Sequence, residues 1–215
     1  MNKIELLSRI QDIEAEVLYL SNALFTLKAI DITKQSDNFE SLSTNVALRS
    51  ERIACQLRNI VFATGVLKKS AYMKQVQKVH NIHLEYLNDI LTLQLPGLLP
   101  KRPIHSNTAF LNDPIYFAFQ EYLQTQPLPV FQECVICFTQ VYNQTLDLHR
   151  IRDYDNLEFK QLLDTIAAFV LHDDSGIYCD VYHTTQLGNE DCTLIHIIDK
   201  QIFPGWIKTH MNTQI

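Results

Sequence analysis

A chain of 215 residues, 47% hydrophobic and 20% charged with a net charge of -6, suits one ordinary domain with a helical appendage, or two small domains. That apolar content excludes a disordered chain, and five glycines and seven prolines exclude collagen-like or low-complexity sequence. Neither G-x-x-x-x-G-K-[ST] nor G-x-G-x-x-G occurs, and the longest apolar run, Ile166 to Leu171, falls well short of the roughly 18 residues of a membrane helix. The N-terminus carries Lys3 and Glu5 inside an amphipathic pattern and no signal-peptide core, so the expected location is cytoplasmic.

Residues 1–80 read as helices. Ile10, Ile13, Val17, Leu20, Leu24 and Leu27 recur at spacings of three and four, with charged residues between them. This is an amphipathic helix with a coiled-coil-like seam. Asp31 to Asn38 is polar and breaks the pattern. A second helix is expected from an N-cap at Ser41 or Ser43, with Leu42, Val46, Ile53, Leu57 and Ile60 down one side and a stop at Gly65. Ser70 to His80 reads as a third. Two long helices with a short polar connection fold back as an antiparallel hairpin, or pair with another copy or a partner helix.

At Ile82 the period changes to two. Ile82, Leu84 and Tyr86 alternate with polar residues, Asn88-Asp89 signals a turn, and Leu91, Leu93 and Leu95 alternate again. A proline-punctuated loop, Pro96 to Pro103, leads to a helix over Asn112 to Gln124, with Pro114 expected at its first position. Glu133 to Tyr142 is apolar enough for a central strand. A helix over Asn156 to Leu171 follows, then strands over Ile177 to Thr184 and Cys192 to Ile198. The expected architecture is α+β: a helical hairpin over 1–80, a β-β-α-β-α-β-β domain over 81–205, and a tail over 206–215. Of the five cysteines, Cys134 and Cys137 form a C-x-x-C, but in a strand positions i and i+3 point to opposite faces. They read as buried small side chains.

The densest polar constellation runs from His149 to Glu158, with Asp173-Asp174 beyond the next helix. Asp153, Asp155, Asp173 and Asp174 suit a hard cation such as Mg²⁺ if the fold brings them together, and such an ion supports phosphodiester hydrolysis. The same residues also read as local structure: Asp155-x-x-Glu158 as a capping pattern and Asp173-Asp174-Ser-Gly176 as a turn.

Asp153-Tyr-Asp155-Asn156-Leu157, then Lys160 and Asp164, then Asp173-Asp174-Ser-Gly-Ile177, resembles the RusA-type Holliday junction resolvases, whose hallmark is D-x-D-N-L-x-K followed by D-D-x-Q-[IV]. The resemblance covers roughly Ile90 to Ile198, and the order of elements is similar as well. It implies a Mg²⁺-dependent endonuclease acting on branched DNA, with Asp153, Asp155, Asp174 (or Asp173) and Lys160 catalytic. Lys160 stands one residue later than the family's lysine, and Gly176 replaces the usual Gln. The whole chain also resembles an uncharacterised protein family of Gram-positive mobile elements.

Charge opposes a nuclease. From Asn88 to Gly205 there are six Lys and Arg against fifteen Asp and Glu, whereas DNA binding is dominated by phosphate neutralisation. Lys101, Arg102, Arg150 and Arg152 are the expected DNA-contacting rim. Two expectations stand side by side: a dimeric junction endonuclease, and a catalytically silent interaction protein that binds a protein partner through the helical hairpin.

Overall fold

The computed structural model describes residues 3–31, 33–65, 67–99 and 109–212. The chain divides into two compact units, Met1–Lys69 and Ser70–Ile215. It is mixed α+β, with helices α1 and α2 first and a five-stranded sheet with interspersed helices after them.

In the first unit, α1 spans Lys3–Ala29 and α2 spans Ser36–Thr64, packed on each other, with Ile13 and Ile53 as their buried side chains. The polar break is shorter than the sequence suggests. Asp31 accepts hydrogen bonds from the backbone N–H and hydroxyl of Thr33 and pairs with Lys34, which tightens the connection so that α2 begins at Ser36. Ser41 and Ser43 are therefore inside the helix, and Ser43 bonds back to the Glu40 carbonyl instead of capping. Gly65 ends α2 in the left-handed conformation, φ 64°, which glycine adopts without steric cost.

All of α3 (Lys69–Val79) but its first residue belongs to the second unit, and its Met73 and Val76 are buried. Strands β1 (His83–Leu87) and β2 (Ile90–Pro96) form the expected hairpin, and Asn88 and Asp89 both take positive φ, as a two-residue turn requires. Next come α4 (Ala109–Thr125), β3 (Cys134–Asn143), α5 (Lys160–Val170), β4 (Cys179–Gly188), β5 (Cys192–Asp199) and α6 (Phe203–Asn212). The strand order is β1-β2-β5-β3-β4, antiparallel throughout except for β3 beside β4, which α5 joins as a crossover.

Several boundaries differ from the sequence reading, among them β4, expected over Ile177 to Thr184 and observed over Cys179–Gly188. α4 starts at Ala109, so Pro114 lies inside it rather than at its first position. A helix was expected from Asn156, but only a 3₁₀ turn forms over Tyr154–Asn156, and α5 begins at Lys160. Most of the supposed tail belongs to α6, whose Trp206 is buried against Cys137 and Ile198.

The main core lies on one face of the sheet. Leu91, Leu93, Ile136, Phe138, Ile195 and Ile197 meet Ile115 and Phe119 of α4 and Leu162, Ile166 and Val170 of α5. α6 covers the other face. Cys134 belongs to the first core and Cys137 to the second, as an i, i+3 pair in a strand must. Burial pushes the Cys137 thiol up to about 11, so it stays protonated at neutral pH. Cys134 pairs in register with Cys179, and its thiol is raised by their hydrogen bond and by burial.

Candidate functional site

The acidic segment follows β3. Its approach is fastened by two arginines. Arg150 donates from Nη1 to Asp191 Oδ2 (2.6 Å) and from Nη2 to Asp191 Oδ1 (2.7 Å) and the Asn143 carbonyl (3.1 Å), above the Tyr142 ring. Arg152 donates from Nη1 to the Leu99 carbonyl (2.8 Å), and its backbone N–H donates to Tyr142 Oη (3.1 Å). These guanidinium groups tie a loop to the sheet. The other two residues of the expected basic rim, Lys101 and Arg102, lie outside the described residues.

Hydrogen bonds from Arg150 hold the Asp191 carboxyl below the ordinary carboxylate range. A depressed folded-state pKa contributes stability that is present above the unfolded value and lost as pH falls through the folded one. Asp191→Asn is therefore expected to lower the urea midpoint at pH 7, with the gap from wild type closing as pH drops below about 3.8, the usual aspartate value. A gap that stays constant down to low pH would show that the charge is not what matters.

Asp153 occupies the position before the 3₁₀ turn with an extended backbone and makes no side-chain capping bond; Asp155 is exposed within the turn. Between them, Tyr154 lays its ring on His183 (5.4 Å) and its hydroxyl beside Thr185 Oγ1 (2.8 Å). Phe159, the residue before α5, packs against Phe138 and His183. Lys160 is the first, exposed residue of α5.

The second acid pair lies past the far end of that helix. Asp173 Oδ1 accepts from the Ser175 N–H (2.6 Å), which holds its carboxyl below the usual range, and Asp174 is exposed. Ser175 in turn accepts from the Cys179 N–H, at the start of β4. Asp153 and Asp155 thus stand beside the later part of β4, near Thr185, and Asp173 and Asp174 beside its beginning. Between the pairs runs α5, 11 residues and about 16 Å long at 1.5 Å per residue.

Carboxylates sharing one Mg²⁺ at about 2.1 Å come within roughly 4 Å of each other. The two aspartate pairs lie beside different parts of β4, with α5 between them. Among the described residues no group of three or more His, Cys, Asp or Glu side chains is arranged to hold a metal ion. Asp173 has the turn role that its sequence also allowed.

A cluster of rings on β4, outside the candidates that residue types and spacing suggest, surrounds His183. His183 is enclosed by Phe138, Tyr154 and Phe159, and burial lowers its pKa. Its signal was the alternation along β4, which puts His183 and Cys179 on one face; the rings around His183 come from elsewhere in the chain.

The hairpin presents a different kind of surface. Within the heptad pattern of α1, Ile13 is buried and Leu20 and Leu27 are half-buried, whereas Ile10, Val17 and Leu24, one heptad apart, are 36%, 46% and 47% exposed. Ile10, Ile13, Glu14, Val17 and α2 residue Leu57 line an open groove of about 340 Å³. Arg49 and Arg52 of α2 both pair with Glu16 of α1, so that polar edge is satisfied within the hairpin.

A family model described as a family of unknown function, DUF6100, matches residues 2–215, and the chain belongs to that family. No curated protein matches the chain. Among the described residues no helix is long and apolar enough to cross a membrane.

Proposed function

We propose that this DUF6100 member is a protein-interaction component whose N-terminal hairpin is the recognition element and whose sheet is a scaffold with the resolvase-like order of elements. The observation that carries this reading is the half-covered seam of α1. Residues that a coiled coil buries on both sides are buried on one side and open on the other, and an exposed apolar stripe of this kind marks a binding surface. A cytoplasmic location, and the mobile-element setting that the whole-chain resemblance implies, suit such a component.

Two features weigh against a Mg²⁺-dependent endonuclease acting on branched DNA. Among the described residues no three His, Cys, Asp or Glu side chains are grouped to hold a metal ion, and Ser70–Ile215 holds nine Lys and Arg against sixteen Asp and Glu, a net of -7. Few cations remain there to displace counterions from a phosphate backbone.

Incubating the full chain with four-way junctions in Mg²⁺ at low salt tests the choice, because electrostatic binding is strongest there. Neither wild type nor Asp155→Asn is expected to cut above the protein-free rate. Cleavage by wild type that Asp155→Asn abolishes would overturn the interaction reading and restore the nuclease with Asp153, Asp155, Asp174 and Lys160 at its centre.

A further inference from the structure

Resting on that interaction reading, the geometry points to a second copy of this chain as the occupant of the open stripe, packed α1 against α1, antiparallel, with Val17 on the two-fold axis. The first argument is the shortage of core. Unit Met1–Lys69 buries only Ile13 and Ile53 among its described residues. A helical unit of this size with so little apolar burial gains its stability by association.

The second is extent. Ile10, Val17 and Leu24, with Leu7, Leu18 and Phe25 beside them and Leu57 across the groove, are all at least one-third exposed. They offer on the order of 700 Å² of apolar surface per copy, near the ~800 Å² per partner of a standard-size interface.

Symmetry and charge select a second copy. Ile10 and Leu24 lie seven residues to either side of Val17, so an antiparallel two-fold sets Ile10 of one copy against Leu24 of the other and Val17 against itself. The same operation separates the two Glu14 side chains along the helix, whereas parallel pairing would set these groove-lining carboxylates opposite each other. It also brings Lys3, at one end of α1, opposite Asp31, just past the other. Met1–Lys69 has nine Lys and Arg against eight Asp and Glu, so two hairpins meet without net repulsion.

Sedimentation equilibrium of the full chain tests the pairing. Wild type is expected to be a dimer at about 10 µM, and Val17→Glu to weaken dimerisation by at least about tenfold, since a carboxylate would face its own copy across an apolar seam. Val17 is nearly half exposed in a single chain, so the far-UV circular dichroism of the variant should match wild type. Site-directed cross-linking is independent of any folding defect in that variant. In a Cys55→Ser background, which removes the exposed native thiol, Val17→Cys should form a covalent dimer when diamide takes up the two electrons and two protons released by the paired thiols. Tyr19→Cys, about 200° around the helix, should not. A wild-type monomer at about 100 µM, a Val17→Glu dimer as tight as wild type, or equal cross-linking at 17 and 19 would overturn the pairing. A monomer that leaves junctions uncut removes only the second copy as occupant; Asp155-dependent cleavage removes the interaction reading itself.

Discussion

Between pH 6.5 and 4 the protein is expected to lose on the order of 3 kcal/mol of stability through His196 alone. His196 lies on β5, 7% exposed, beneath the rings of Trp206 (5.0 Å) and His210 (5.8 Å) of α6, with Nδ1 3.1 Å from Thr92 Oγ1. Burial, and after it the charge of His210, holds its pKa down at about 4, against 6.5 for an ordinary histidine. The unfolded chain therefore binds a proton on this residue at a pH where the folded chain does not. Stability from the neutral imidazole is complete above about 6.5, declines as pH falls, and has gone once pH passes below about 4. Urea unfolding followed by the fluorescence of Trp206, the chain's single tryptophan, reads this directly. His196→Gln removes the titrating ring, and its stability should change much less over the same interval. If wild type and variant run parallel from pH 6.5 to 4, burial of the neutral ring is not the cause.

Phe138→Ala is expected to destabilise the sheet unit by about 3–5 kcal/mol. Phe138 is 0% exposed in the middle of β3, between β5 and β4, and its ring packs on Phe159 (5.3 Å) and His183 (5.4 Å). Truncation removes buried apolar surface and leaves a cavity that flanking strands, fixed by ladders on both sides, cannot close. The loss is a large share of the roughly 5–15 kcal/mol that stabilises a typical domain. Phe138→Leu retains most of the volume and should lose clearly less. Because Phe159 immediately precedes α5, the alanine variant should also loosen the acidic approach, seen as faster amide exchange over residues 154–160. A loss under about 1 kcal/mol would mean that this side of the core repacks freely.

Much of the fold was legible in local pattern. The change of period at Ile82, the Asn88-Asp89 turn, the apolar run of β3 and the β-β-α-β-α-β-β order all follow from which neighbouring residues are buried together. The heptad of α1 was legible too, but not which half of it would be covered. Helix starts were less so: the connection at Asp31 closes through side-chain bonds, and the chain from Tyr154 to Phe159 is taken up by ring contacts with β3 and β4 rather than by helix. The acid pairs separate the two kinds of information most clearly. Residue types and spacing by themselves determined that Asp153, Asp155, Asp173 and Asp174 flank one amphipathic helix. Only the tertiary structure decided that the first pair comes beside Thr185 and the second beside the start of β4, that Arg150 meets Asp191 across 41 residues of chain, and that Trp206 closes over His196. The physical reason is that a crossover helix is laid along the sheet by its buried stripe, Leu162, Ile166 and Val170, and the polar residues at its ends go where that packing carries them.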